Sequence, residues 1–514
     1  MRGSNGAGLG AALFLGTSLA LGGIAGAQDF AIKEYEDGGI YEGTFKDGKQ
    51  HGHGTYKLPN GYKYEGDWVE GEILGEGTAT FPNGAIYEGT FAKGKPNGKG
   101  KITYPDGSSY EGDWVAGQIQ GEGTAHYPNG VTYTGTFVNA LHDGKGRMTS
   151  ADGYSYDGDW VRGIKQGQGR ITYPDGAVYE GGMLNGQRAG QGKLTLADGL
   201  TYEGGWADGK MSGEGTLTQP NGDVFSGSFV DGKRQGKGKV TYANGDIYEG
   251  DFVADKRQGK GVFTGTDGYV YDGDWLDGRI AGTGTVTYPD GTVYQGTFVN
   301  DLANGTGTIT YADGSSYAGG WKDGVIEGEG TAHYANGLVY EGSFRGGKNN
   351  GQGTMTYPDG YSYVGQWVDG SREGEGIATY ADGTVYKGSF KRGQRDGQGE
   401  ITMADGFRYS GGWRDGQIDG IGTATYPNGD IYEGAFVAGK REGQGTMRYA
   451  DGKTASGIWN AGMLTGTEAD GTAGGAAGET AGGATDGATD GATDGAGDAA
   501  TGGTAGTEST GTGN

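Results

Sequence analysis

The chain of 514 residues contains no cysteine, which excludes disulfides, cysteine nucleophiles, thiolate metal centres and cysteine-linked lipid anchors together. Histidine is scarce as well, at five residues. His51 and His53 lie two apart in a turn without a third ligand, so they read as polar filler and not as a metal site. Basic residues are the minority, 40 against 65 acidic, for a net charge of −25. An acidic excess spread evenly along a chain disfavours nucleic acid and anionic membrane surfaces. Apolar runs are short everywhere except between Leu9 and Ile24, and turn residues interrupt the rest too often to leave room for a helix. No nucleophile has a candidate base and no phosphate-binding loop follows a strand, so no catalytic residue, cofactor site or metal site is assigned.

Glycine is abundant, at 121 residues, but has no three-residue period, which excludes a collagen triple helix. What orders the glycines is the pattern Tyr-x-Gly-x-(Trp or Phe)-x-x-Gly-x-x-x-Gly-x-Gly, which opens at Tyr41 and returns every 23 residues, without insertion or deletion, to a worn copy at Ala455. A period of this size marks a repeat protein, in which each unit contacts its neighbours and function comes from a long surface. The repeated rings are Tyr64 with Trp68, Tyr110 with Trp114, Tyr156 with Trp160, Tyr202 with Trp206, Tyr271 with Trp275, Tyr317 with Trp321, Tyr363 with Trp367 and Tyr409 with Trp413. In the copies between them Phe replaces Trp, as at Phe45 and Phe91, and Met183 is the non-aromatic exception.

Each copy reads as two short strands of five or six residues. Tyr41, Gly43 and Phe45 alternate with Glu42 and Thr44, and Gly100, Ile102 and Tyr104 alternate with Lys101 and Thr103; a period of two is the strand signature. One face is then aromatic and aliphatic, the other Glu, Asp, Thr and Lys. Asp-Gly or Asn-Gly, frequently after Pro, punctuates the copies, as at Asn60-Gly61 and Asp106-Gly107. A longer glycine-held turn, such as Gly48 to Gly52, joins the two strands of a copy. A Gly on the aromatic face lets a neighbouring ring lie against the backbone.

These residues resemble the MORN repeat family, whose unit is close to Tyr-Glu-Gly-x-Trp-x-x-Gly-x-x-x-Gly-x-Gly, over about Tyr35 to Thr467. The resemblance implies an all-β fold, an elongated, twisted, single-layer antiparallel meander of β-hairpins. It also implies use as a scaffold or assembly module, linked in some eukaryotic members to phospholipid binding. Similar repeats are appended to a plant phosphoinositide kinase and a lysine methyltransferase, but repeats fill this chain and no stretch could hold either catalytic domain.

The ends differ in composition. Arg2, the apolar stretch Leu9–Ile24 and Ala25-Gly26-Ala27 read as a secretory signal peptide, residues 1–27, cleaved before Gln28. Residues 28–40 read as a partial N-terminal capping repeat, 41–465 as the array, and 466–514, rich in Gly, Ala, Thr and Asp, as a disordered acidic tail. The expectation is an exported protein, periplasmic or at the cell surface, and not an integral membrane protein after signal cleavage. Strands this short, with neither face uniformly apolar, do not suit an outer-membrane barrel.

Trp and Phe alternate at the fifth slot, making the genetic unit 46 residues. Trp copies tend to carry Ile or Met in the longer turn with Glu after it, as at Ile73 and Glu76; Phe copies carry Lys or Arg, as at Lys49, Lys95 and Lys99. Charges repeated at one edge could set the register of a second ribbon. The alternation slips at Phe229 and Phe252, leaving Lys233, Arg234, Lys237, Lys239, Lys256, Arg257 and Lys260 as a candidate anion or partner contact. The function expected is a non-enzymatic scaffold of the cell envelope with a protein partner or a second copy as a homodimer, because a single-layer sheet leaves apolar surface exposed. The alternatives are polysaccharide binding on the aromatic rows and phospholipid headgroup recognition by the central basic stretch.

A unit that buries its face only against neighbours does not fold alone. A synthetic peptide of residues 110–132 is therefore expected to give a disordered circular dichroism spectrum in water, and a strand spectrum at low concentration would contradict this.

Overall fold

A computed structural model describes residues 29–467. The signal-peptide reading of residues 1–27 and nearly all of the acidic-tail reading lie outside the described residues. Those described form 39 strands and no helix. The chain divides into two units, residues 1–233 and 234–514. In the first, β1 (Asp29–Glu34) pairs antiparallel with β2 (Ile40–Lys46), and every following strand pairs with its successor through β18 (Val224–Val230). In the second the same meander runs from β20 (Ile247–Val253) to β39 (Met463–Thr467), with β19 (Lys233–Thr241) pairing with β20. Each unit is thus an antiparallel meander of hairpins.

The hairpin of β8 (Ser109–Val115) and β9 (Gln118–His126) shows the construction. Its strands are seven and nine residues long, not five or six, because the segment taken for a longer turn is itself strand. The turn is only Ala116-Gly117, with φ of 50° and 87°. Positive φ at both central residues is the type I′ geometry whose twist matches paired strands. The loop between copies is of the other kind. Gly130 N donates to Tyr127 O at 3.0 Å and Tyr127 N to Val131 O at 2.8 Å, with Gly130 at φ 79°. Pro128 comes first in that loop, and its fixed negative φ suits a type I turn and is incompatible with a primed one.

The register shows why two glycines face each other in the hairpins of the repeat, as in that of β8 and β9. Gly112 pairs with Gly123, and the next pair is Trp114 with Ile119, so the partner strand carries extra residues opposite Asp113 as a bulge. The Tyr110 ring lies over the glycine pair. A Cβ on Gly123 would sit 2.4 to 2.6 Å from Tyr110 ring and hydroxyl atoms, and one on Gly112 would be 2.5 Å from the Cα of Gly123. The Tyr110 hydroxyl reaches past them to donate to Asp113 O at 3.1 Å. A side chain at either glycine would displace the ring that closes the core.

Gly123→Ala is expected to destabilise this hairpin by about 1–3 kcal/mol, the usual cost of overpacking, whereas Glu111→Ala, on the exposed face, should change it by less than about 0.5 kcal/mol. Amide hydrogen exchange across β8 and β9 measures both; equal protection in the two variants would refute the packing account.

Candidate functional site

All sixteen rings singled out from the sequence are buried, none more than 9% exposed. The open aromatic face expected of a single-layer sheet is therefore absent here: the rings cover one another. Except beside Met183, each Tyr meets the fifth-slot ring of its own copy and that of the next, edge to face. Tyr87 lies 5.0 Å from Phe91 and 5.1 Å from Trp114, and Tyr110 lies 5.6 Å from Trp114 and 5.0 Å from Phe137. Such pairs add about 0.5–1.5 kcal/mol each beyond burial. The Trp160 indole N–H donates to Gly146 O of the preceding copy at 2.9 Å, and Trp114 and Trp275 repeat the bond to Gly100 and Gly261. Burial pushes the Tyr41 phenol up to about 12. Rings held in this way are core, and a flat stacking row for sugars is not presented.

The second residue of each nine-residue strand also faces the rings, which the sequence did not reveal. Ile73 and Ile326 fill this place in Trp copies. In other copies a planar polar group stacks there. The guanidinium carbons of Arg188, Arg257, Arg395 and Arg441 stand 4.2 to 4.6 Å from the Trp rings of the following copies. Arg188, Arg395 and Arg441 also donate to Gly209, Gly416 and Gly462 carbonyls at 2.7, 3.0 and 2.7 Å. His142 takes the same place, its ring stacked 3.7 Å from Tyr133 at 13°, with a 2.8 Å hydrogen bond between Nε2 and the Tyr127 hydroxyl. The available signal was Arg or His nine residues after the copy's first aromatic, in copies followed by Trp.

The opposite face is a ladder of cross-strand pairs, and it explains the 46-residue alternation. Lys99 sits opposite Asp113 and Lys145 opposite Asp159, with ion pairs of 2.6 and 2.5 Å. Those acids belong to Trp copies, and each also accepts the bulge N–H of its own copy: Glu122 N to Asp113 at 3.0 Å, Gln168 N to Asp159 at 2.9 Å. Glu122 in turn sits opposite Thr136 of the next Phe copy and accepts its hydroxyl at 2.7 Å. Lys99 and Glu122, expected to lie in turns, are therefore on strands and paired with the neighbouring copy.

The same chemistry accounts for the candidate basic stretch. Lys237 pairs with Asp251 at 2.9 Å, Lys239 with Glu249 at 2.5 Å, Lys256 with Asp277 at 3.2 Å, Lys260 with Asp274 at 2.6 Å and Arg234 with Asp255 at 3.3 Å. Arg257 lies over Trp275, and Lys233 is exposed at the start of β19. Residues 234–277 hold six basic and eight acidic side chains. The stretch is basic in sequence and neutralised in space.

The MORN repeat profile matches at 41–61, 64–86, 87–109, 110–132, 133–153 and onward through 432–454. The chain belongs to the MORN repeat family. It is similar to Alsin of Rattus norvegicus, 35% identical over 60 residues, which are 11% of this chain and 4% of that protein. The chain thus spans a small fraction of the curated relative that it matches. Among solved structures it is similar to the SAS-4 TCP domain of Drosophila melanogaster in complex with a proline-rich motif of Ana2 (16% identity, 30% of this chain and 85% of that one, TM-score 0.20). The TCP10 domain of Danio rerio CPAP in complex with a STIL peptide is another (15% identity, 58% and 94%, TM-score 0.15). As MORN repeats, these hairpins form a repeat scaffold that works by interaction.

Burial pushes the His142 imidazole down to about 4, while the unfolded chain titrates near ~6.5. The unfolded state then takes up the proton first, so stability around β10 (Thr132–Val138) and β11 (Leu141–Thr149) is full above ~6.5 and declines as pH falls toward ~4. Hydrogen exchange of these strands at pH 7 and pH 4.5, with and without His142→Gln, measures the effect. The variant is expected to remove part of the acid sensitivity, and an identical pH dependence in both proteins would refute the assignment.

Proposed function

We propose that this MORN repeat protein is a non-enzymatic exported scaffold of the cell envelope, presenting its polar face and its turn edges to protein partners. The observation that carries the reading is the division of labour between faces. The conspicuous side chains, Tyr, Trp and the stacked Arg, are consumed in holding copy to copy. The Glu, Lys, Thr and Asp rows are left displayed at two strands per copy, about 9.6 Å apart. Repeated at fixed spacing, such rows suit a partner that engages several copies at once, where many weak contacts add.

Export is supported by the sequence of residues 1–27. Sugar stacking on the aromatic rows loses its surface with the burial of the rings. Headgroup binding by the central basic stretch is disfavoured by its acidic partners, since an anion bound at five of its seven basic residues would compete with an existing ion pair.

Cell fractionation with N-terminal sequencing, followed by in-cell cross-linking through surface lysines, tests the proposal. The expected outcome is an envelope or secreted protein that begins at Gln28 and cross-links to protein at several copies. A cytoplasmic protein retaining residues 1–27 would refute export, and exclusive recovery with lipid or polysaccharide would refute the protein-scaffold reading.

A further inference from the structure

The last residue of each seven-residue strand and the first of each nine-residue strand flank the type I′ turn, side by side on the polar face. At most copies they are charged or adjoin a charged turn residue, as at Lys46, Asp47 and Lys49 or Val69, Glu70 and Glu72. Four consecutive turns in the first unit differ. There the flanking residues are Val115, Val138, Leu141, Val161, Ile164 and Leu184, all between 36% and 55% exposed, completed by Gln118 and Gln187. Arg162 and the Asp143 carboxylate that accepts its N–H are the charges on this edge between Val115 and Gln187, and they carry opposite signs. In a chain of net charge −25 such a stretch is the place where another acidic surface meets least repulsion. The edge is also rigid. Ala140, Gly163 and Gly186 N–H groups donate to Ile119, His142 and Lys165 carbonyls at 3.0, 2.8 and 3.0 Å. Asn139, Arg162 and Asn185 N–H groups are capped by Gln120, Asp143 and Gln166 side chains at 3.0, 3.0 and 3.1 Å.

The order of residues on this edge reads nearly the same in both directions. Gln118, Leu141, Ile164 and Gln187 are polar, apolar, apolar and polar, and Val115, Val138, Val161 and Leu184 are apolar throughout. A two-fold axis between the second and third turns would set Leu141 against Ile164 of a second copy and Gln118 against Gln187. It would also bring the exposed turn residue Lys93, which precedes the stretch, opposite the exposed turn residue Asp208, which follows it. Lys95 would approach Lys210, whose ammonium Asp231 holds at 3.2 Å. Self-complementarity of this kind is what an isologous interface requires.

From this we infer that the edge from Val115 to Gln187 is a homodimer interface, with two copies antiparallel about a two-fold axis between the turns at Asn139-Ala140 and Arg162-Gly163. The inference rests on the scaffold reading and names a second copy of the chain as its first partner. The exposed apolar area is on the order of 400 Å² per copy, within the range of the largest patches on ordinary monomers. With the turns included, both copies bury roughly 1,000 Å², the lower limit of a specific interface, so the dimer dissociates on dilution.

Sedimentation of the full chain from about 1 to 100 µM tests this, the span over which an interface of this size should assemble. The expected mass rises toward two chains, Leu141→Glu holds it at one, and Leu276→Glu, exposed at a turn of the second unit, leaves assembly unchanged. Lys93→Glu weakens the dimer and Lys93→Glu with Asp208→Lys restores it. Because the chain has no cysteine, Leu141→Cys mixed with Ile164→Cys should oxidise to a mixed disulfide faster than either variant alone. A monomer throughout, or a dimer indifferent to both Leu141→Glu and Lys93→Glu, overturns the interface. Envelope partners cross-linked to a monomer would leave the scaffold reading standing while removing the dimer.

Discussion

Everything in this structure depends on a tyrosine ring laid across two facing glycines. The sheet is one layer thick, so no second layer covers its apolar side, and each ring must find its cover within the hairpin and the next one. The missing side chains of Gly112 and Gly123 bring the Tyr110 ring against the backbone. From there its hydroxyl reaches the Asp113 carbonyl and its edges reach Trp114 and Phe137. A glycine weakens a strand by roughly 0.5–1 kcal/mol. Here that loss is offset by burial of a whole aromatic side chain and its hydrogen bond.

Once the rings are spent on cohesion, the polar face carries the variation. The residue opposite each acid or hydroxyl is chosen by the copy before it: Lys99 and Lys145 precede Asp113 and Asp159, and Glu122 precedes Thr136. The slip in the aromatic alternation makes the rule visible. The Phe252 copy carries Asp251, the acid typical of Trp copies, because Lys237 stands opposite it. Polar-face chemistry follows the neighbouring strand and not the ring beneath. Exposed ion pairs are worth little individually, so their main effect is to offset charge locally along the ladder.

The strands, the 23-residue period, the antiparallel hairpins and the face assignments were legible because each copy states them again and the side-chain period is two. Turn geometry was less so. Gly48 to Gly52 looks like a loop because glycine is ambiguous between a turn and a bulge, and only pairing shows that Lys49–Lys57 is strand. The seven basic residues near the slip looked like a site because sequence lists neighbours along the chain, whereas the acidic partners of five of them lie ten to 21 residues away in number and alongside in space. The stacked arginines were hidden for the same reason, since the Trp ring against each belongs to the next copy, as does the Trp160 ring that meets His142 edge-on.

The sequence by itself determined a cysteine-free, acidic, all-β MORN array, since a pattern kept without insertion through so many copies admits one kind of local structure. Only the tertiary structure decided what that structure leaves outside. It closed the aromatic rows, paired most of the basic stretch with acids and exposed an apolar edge with no net charge from Val115 to Gln187. The physical reason is that exposure and charge balance are set by the strand alongside and by the bulge that curves each hairpin, neither of which a residue's own position along the chain records.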